Sequence, residues 1–207
     1  MTGAIDLGDG LARIATALRI PVLIAAVIVL LLCAVEVGRF LTEYWRRRVR
    51  MRAFRLRELT ERAIAEPRHA DHYAALAPGA ISAAAVGEIA AGAGSEGSRG
   101  AEYALARYEL AVQRRLDRTR LLVRAGPAIG LMGTLIPLAP GLAALSDGDV
   151  SKLAENLRDA FGATVVGLLV GTVAFGLTLA RTRMYTEDLV DLEQGVEAVL
   201  PSPPGAT

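Results

Sequence analysis

Among its 207 residues the sequence has one cysteine, two histidines, one tryptophan and one lysine. The single cysteine, Cys33, excludes an intrachain disulfide, and its place inside an apolar run predicts a small buried hydrophobic residue. The two histidines, His69 and His72, flank Asp71, but this set provides too few ligands for a metal site. We therefore expect neither a metal nor a cofactor.

Aromatic residues are also scarce, at 5% of the chain. The basic stretches carry interleaved acids such as Glu58 and Glu61, and no aromatic stacking pattern accompanies them. This argues against nucleic acid as a partner. The sequence also lacks a nucleophile–base pair, a metal cluster and a nucleotide-binding loop, so we do not expect an enzyme.

Long apolar runs are what the chain does have. Three of them, 20–38, 125–145 and 160–180, are close to the roughly 20 residues that a helix needs to cross a bilayer. The first contains one charged residue, Glu36, and the other two contain none. The sequence therefore predicts an all-α membrane protein with three transmembrane helices, of which spans one and two extend as long cytoplasmic helices.

The distribution of basic residues predicts the orientation of these spans. Seventeen of the 23 basic residues lie between Arg39 and Arg124. The positive-inside rule therefore predicts that this segment lies on the cytoplasmic side. We expect the protein to lie in the cell membrane, in contact with lipid. The remaining segments then follow as an extracytoplasmic N-terminus (1–19), a cytoplasmic helical region (39–124), a short extracytoplasmic loop (146–159) and a cytoplasmic tail (181–207).

Within the cytoplasmic region, helical spacing predicts one helix from Phe40 to about Ala65. A break between Pro67 and Pro78, a short helix over 81–91 and a flexible Gly/Ser stretch over 92–100 are expected to follow. The helical pattern then continues from Ala101 into the second span. In the short loop, Asp149 or Ser151 is expected to cap the third spanning helix.

Spans two and three are rich in small residues on one helical face each. In span two this face holds Gly126, Pro127, Gly130 and Gly133, and in span three it holds Gly167 and Gly171. Small residues at this spacing usually allow two helices to pack closely, and spacing alone favours that interpretation.

Two threonines lie in the same stripes, Thr134 in span two and Thr164 in span three. Hydroxyls in hydrocarbon bond to a neighbouring backbone carbonyl or face water, and a ring of them from several subunits would hold water for proton transfer. Because neither span contains a titratable side chain, the proton must be accepted by Asp159, by Glu36 or by a partner protein. For Glu36 the interpretation we favour is a carboxylate near the interface that pairs with Arg39 or water.

The two motifs Gly126-Pro127-x-x-Gly130-Leu131-Met132-Gly133-Thr134 and Asp159-Ala160-Phe161-Gly162-Ala163-Thr164-Val165-Val166-Gly167-Leu168 resemble those of the MotA/TolQ/ExbB proton channel family. Three spans with an insert between the first and second resemble its TolQ and ExbB members. The sequence departs from the family pattern at Pro137 and Pro140, which predict a kink in span two.

This resemblance implies a proton or ion channel subunit of a complex driven by the proton motive force. It also implies a homopentamer around a dimer of a single-span, ExbD/TolR-like partner whose membrane aspartate accepts the proton. By the same resemblance Thr134, Thr164 and Asp159 belong to the ion pathway. The alternative is a non-conducting membrane scaffold that assembles through its glycine and threonine faces.

Overall fold

The computed structural model describes residues 17–50, 55–146 and 148–200, and every regular element in these ranges is helical. The elements are α1 (Arg19–Arg50), α2 (Leu56–Ala65), a 3-10 turn (Pro67–His69), α3 (Ala70–Leu76), α4 (Ala80–Glu96), α5 (Ser98–Ser146) and α6 (Val150–Val199). This confirms the all-α class. Residues 1–16 of the expected extracytoplasmic N-terminus and residues 201–207 of the expected cytoplasmic tail lie outside the described residues.

Three of these helices, α1, α5 and α6, are long and apolar enough to cross a membrane. Their apolar side chains are widely exposed: Val27 is 56% exposed, Leu131 59% and Val165 66%. Such surfaces are unfavourable in water and suit a hydrocarbon environment. Helix α1 continues past the apolar run to Arg50, and α5 begins at Ser98, well before its own apolar part, which confirms that spans one and two are extended.

The chain divides into two compact units, which we name the span unit and the insert unit. The span unit comprises described residues 17–37, 119–146 and 148–177, so it contains the first part of α1, the last part of α5 and the first part of α6. Its core is a small cluster of Cys33, Leu122, Val170 and Ala174. Cys33 is 5% exposed and reduced, in agreement with the buried position expected for it.

The insert unit comprises described residues 38–50, 55–118 and 178–200, and it holds the larger core. Leu56, Ile89 and Leu192 are at most 1% exposed there. Full burial of each such side chain contributes about 1.5–3 kcal/mol relative to exposure. The short helices α2, α3 and α4 are therefore held by a hydrophobic core of their own.

The single helix expected from Phe40 to Ala65 is divided in the structure. Helix α1 ends at Arg50, Arg55 has extended backbone angles (φ −80°, ψ 141°), and α2 begins at Leu56. No glycine or proline lies in this stretch to interrupt the helix. The separate α2 buries Leu56, Leu59, Thr60 and Ala63, so tertiary packing accounts for a division that local sequence preference does not predict.

The flexible Gly/Ser stretch expected over 92–100 is also wrong, because helix occupies almost all of it. Only Gly97, with φ +63°, interrupts the helices, between the end of α4 and the start of α5. Gly92 and Gly100 lie against each other, and a Cβ added at Gly92 would be 2.5 Å from the carbonyl oxygen of Gly100. These glycines permit a close approach of α4 and α5.

Helix α5 contains Pro127, Pro137 and Pro140 and continues as one helix through all three. At the start of α6, the Asp149 carboxylate accepts a hydrogen bond from the Lys152 backbone N–H at 2.9 Å. This is the N-cap geometry that the sequence predicts for Asp149. The preceding Gly148 has φ +81°, a conformation that glycine adopts without strain.

A buried polar cluster joins four helices of the insert unit. Arg47 of α1 donates two hydrogen bonds to the Asp188 carboxylate of α6, at 2.8 and 2.7 Å, and Ser82 of α4 donates a third at 2.6 Å. Tyr108 of α5 donates its hydroxyl to the Tyr185 carbonyl oxygen at 3.2 Å. Asp188 is 1% exposed and Arg47 4%, so this ion pair is shielded from solvent.

Candidate functional site

The glycine stripes of α5 and α6 face each other within the span unit. A Cβ added at Gly126 would lie 2.7 Å from the carbonyl oxygen of Gly167, and one added at Gly167 would lie 2.5 Å from that of Gly126. Gly130 and Gly133 meet α6 in the same way, the latter against Ala163. Gly126, Gly130, Gly133 and Gly167 are all buried. Because glycine has no side chain, the backbones of α5 and α6 approach closely at these positions.

Pro127 and Gly171 extend this contact by one more turn. A Cβ at Gly171 would lie 2.8 Å from Cγ of the Pro127 ring, so the ring occupies the space that the glycine leaves open. The six predicted packing positions are thus all engaged between α5 and α6 of a single chain. Whether any of them also lines a pore stays a prediction.

Thr164 lies at the centre of the helix pair. Its hydroxyl is 3.4 Å from the Gly130 carbonyl oxygen of α5 and 3.4 Å from the Ala160 carbonyl oxygen of its own helix. Both distances exceed the roughly 2.7–2.8 Å typical of a hydroxyl–carbonyl bond, and one hydroxyl proton serves one acceptor at a time. This half-buried hydroxyl therefore lies within reach of two acceptors and makes a short bond to neither.

Thr134 is held differently. Its hydroxyl donates to the Leu131 carbonyl oxygen in the same helix at 2.7 Å, a strong local bond. Within the described chain, no hydrogen bond joins Thr134 to Thr164. The hydroxyl proton is used in this bond within α5. The lone pairs of the Thr134 oxygen can still accept a hydrogen bond from water.

Asp159 lies one residue before the third apolar run and is paired with α1. The Arg19 guanidinium donates to its carboxylate at 3.3 Å, and the two side chains are 39% and 46% exposed. A pair this open to solvent contributes at most about 1 kcal/mol to stability. Sequence reasoning missed Arg19 as the partner, although opposite charges just outside spans one and three were a usable signal.

Glu36, the remaining acidic candidate, is only 5% exposed in the span unit. The structure therefore buries this carboxylate. None of the hydrogen bonds described for Thr134, Thr164 and Asp159 joins these residues to Glu36. Its pairing with Arg39 or with water stays a prediction.

Asn156 is a buried polar residue that the sequence reasoning did not identify. It is 7% exposed and lies one helical turn before Ala160, on the stripe that continues to Ala163 and Gly167. A Cβ at Gly141 of α5 would be 3.5 Å from the Asn156 Cβ. Extending the α6 stripe backwards by four residues would have found it.

No group of three or more metal-ligating side chains occurs among the residues that the structure describes. In particular, His69 lies beside Glu66 on the surface, with 3.6 Å between Nδ1 and the carboxylate.

Comparison with known proteins supplies the family. No curated protein and no solved structure was found to match the chain. The model of the MotA/TolQ/ExbB proton channel family matches residues 78–193, more than half of the sequence, and this range contains both the α5 and the α6 motifs. The match confirms the resemblance stated from those motifs: the chain belongs to the MotA/TolQ/ExbB proton channel family.

Proposed function

We propose that this chain forms the pore wall of an ion-conducting complex driven by the proton motive force. Family membership supports a proton-channel subunit, and the observation that carries the finer proposal is the Thr164 hydroxyl. It lies half-buried between α6 and α5, in contact range of two carbonyl oxygens and held tightly by neither. A hydroxyl so placed can exchange its bond with a water molecule during proton transfer.

The proton acceptor is proposed to belong to a partner. Spans two and three contain no titratable residue, while proton transfer through a membrane requires one. We propose a homopentamer of this chain around a dimer of a single-span, ExbD/TolR-like protein that brings an aspartate into the pore. The exposed apolar faces of α5 and α6, such as Leu131 and Val165, support contact with other helices or lipid.

We assign Thr134 and Thr164 to the pathway through the span unit and Asp159 to its outer mouth. The Arg19–Asp159 pair supports a common side for the starts of the first and third apolar runs, since Arg19 precedes the first and Asp159 precedes the third. We assign this side to the exterior because most basic residues lie between Arg39 and Arg124. Glu36 is kept as a secondary candidate because an acid buried in a span is usually functional.

The experiment replaces Thr164 with valine, which keeps the side-chain shape and removes the hydroxyl. In proteoliposomes containing the complex with its single-span partner, Thr164→Val is expected to abolish proton flux driven by a potassium diffusion potential. The matched control is Thr172→Val, at an exposed position two turns further along α6, which is expected to conduct normally.

The mass of each purified complex is measured in parallel, and both variants are expected to remain pentameric. Undiminished flux in Thr164→Val would overturn the conducting role of this residue. A stable monomer in the wild type would overturn the proposed pentamer.

The alternative is a non-conducting scaffold. The buried glycines agree with it, because their contacts pack two helices together. Gly126 and Gly167 meet within one chain, however, so their stripes are already occupied before a second subunit is added. A scaffold that assembles subunits through these stripes would need to open this contact. If Thr164→Val and Asp159→Asn both leave energy-dependent function intact, the scaffold is the better interpretation.

A further inference from the structure

The insert unit contains a cavity of about 660 Å³ that the ion pathway does not use. Its lining includes Arg39, Arg46 and Arg47 from α1, Arg115 from α5, and the side chains of Glu43 and Tyr185. The volume falls within the roughly 300–1,000 Å³ of small-molecule sites in proteins. Four guanidinium groups around one cavity point to an anionic occupant.

Glu43 lines this cavity and Asp188 binds the lining residue Arg47, and both carboxylates are already engaged. Asp188 accepts both terminal nitrogens of Arg47 and the Ser82 hydroxyl. Glu43 accepts the Tyr185 hydroxyl at 2.9 Å and lies 3.7 Å from Arg47. The cavity is therefore lined by four guanidinium groups and one carboxylate, that of Glu43.

The positions of these residues explain how they converge. Arg39, Glu43 and Arg47 recur at steps of four along α1, and Arg46 follows Glu43 by three residues, so the four lie on one broad helical face. Arg47 is 4% exposed, and its Nε has no hydrogen-bond acceptor among the described residues. A buried donor of this kind normally has a partner.

The start of α4 provides a third observation. Pro78, Gly79 and Ala80 line the cavity, and α4 begins at Ala80, so the N-terminus of a 17-residue helix lies at its wall. No side chain caps this end, and its first turn contains no acidic residue. The first backbone N–H groups of a helix have no acceptor within the helix, and they attract anions such as phosphate.

The cavity also lies close to the expected bilayer surface. Arg39 directly follows the apolar run 20–38, and the neighbouring Tyr44 and Trp45 are exposed at 36% and 73%. Exposed tyrosine and tryptophan after an apolar run are typical of a membrane interface. Basic pockets at such a position bind anionic headgroups.

We propose that this cavity binds a phosphate-bearing anion between the guanidinium groups of α1 and α5 and the N-terminus of α4. The phosphate belongs to an anionic phospholipid headgroup or to a soluble phosphate, and both share the chemistry that the cavity recognises. The proposal is independent of ion conduction, since no cavity residue belongs to the proposed pathway.

The test uses full-length protein with two charges removed from the cavity, Arg46→Gln/Arg115→Gln. Arg47 is left unchanged because it holds Asp188. The matched control is Arg114→Gln/Arg118→Gln, which removes two exposed arginines of α5 that do not line the cavity. A third variant, Thr42→Glu, introduces a negative charge on the cavity face of α1 and serves if the first variant loses its melting transition.

Two probes are compared. Each protein is exchanged from nanodiscs of phosphatidylcholine with phosphatidylglycerol into detergent, and retained phosphatidylglycerol is counted by native mass spectrometry. In lipid-free detergent, inorganic phosphate is titrated and the melting temperature is followed. The cavity variants are expected to bind roughly 30-fold more weakly, as for two basic side chains removed near an anionic surface, while the control matches the wild type.

Selective retention of phosphatidylglycerol by wild type and control, without stabilisation by phosphate, identifies a lipid headgroup. Stabilisation by phosphate without retained lipid identifies a soluble phosphate. If wild type, cavity variants and control retain equal lipid and respond equally to phosphate, the proposal is overturned, whatever their ion flux.

Discussion

Asp188 and Arg47 show how much of the insert unit depends on single residues. They are separated by 141 positions in the chain and form a two-pronged ion pair at 2.8 and 2.7 Å. Ser82 completes the pair from a third helix at 2.6 Å. Because all three are buried, removing one of them takes a hydrogen-bond partner from a buried group that water does not reach.

We expect Asp188→Ala to destabilise the protein by about 3–5 kcal/mol, since it removes both short hydrogen bonds of the buried Arg47 guanidinium and leaves it only the Glu43 carboxylate, 3.7 Å away. The measurement is thermal and denaturant unfolding in detergent, followed by the fluorescence of the single tryptophan. The double variant Arg47→Met/Asp188→Leu, which removes both charges, should recover most of the loss.

The control for this prediction is Glu61→Gln, which breaks the exposed Arg57–Glu61 pair of α2. An exposed pair of this kind contributes about 0–1 kcal/mol. If Asp188→Ala changed stability no more than Glu61→Gln, the buried pair would not be the main polar constraint of the insert unit.

At the scale of elements, the pairing of α5 with α6 depends on backbone proximity. Gly167 contacts Gly126 and Gly130 at distances that leave no room for a methyl group. Glycine is otherwise unfavourable inside a helix by about 1 kcal/mol relative to alanine. The gain from close packing therefore has to exceed this cost at each position of the stripe.

We expect Gly167→Ala to lower stability by about 1–3 kcal/mol, because the new Cβ forces the helices apart. Gly162→Ala is the matched control, on the same helix with nothing within 4 Å of the added Cβ. This control should be neutral or slightly stabilising, by up to about 1 kcal/mol. The comparison of melting temperatures in detergent checks both, and equal shifts would contradict the proposed role of close packing.

At the scale of the whole molecule, the protein belongs to a membrane proton channel family that is not enzymatic, and three of its helices are long and apolar enough to cross a membrane. The expectation of no enzymatic activity is thereby confirmed. The orientation of the helices is a proposal that rests on the basic residues between Arg39 and Arg124.

Labelling of single cysteines in a Cys33→Ser background tests this orientation in intact cells. A cysteine at Asp149, just before α6, is expected to react with a membrane-impermeant thiol reagent from outside. A cysteine at Arg114, exposed on α5, is expected to react only after the cells are opened. The reverse pattern would show that the chain is inserted with its N-terminus inside.

Much of the architecture could be predicted because its signals are local. Apolar runs marked α1, α5 and α6, and the Asp149 cap marked the start of α6. The break before α2 was missed, because it results from burying Leu56 and Leu59 against distant residues. The Gly92–Gly100 contact was mistaken for flexibility, since glycine permits both a loose chain and a close helix approach.

The sequence by itself determined the number of apolar runs, the small-residue stripes of α5 and α6, and the lack of a titratable group in spans two and three. These properties depend on composition and on helical periodicity, which are read along one chain. Only the tertiary structure decided that Gly126 meets Gly167, that Arg47 pairs with Asp188, and that arginines of α1 and α5 line one cavity. The physical reason is that such contacts depend on distances between elements, which helical spacing within one element does not specify.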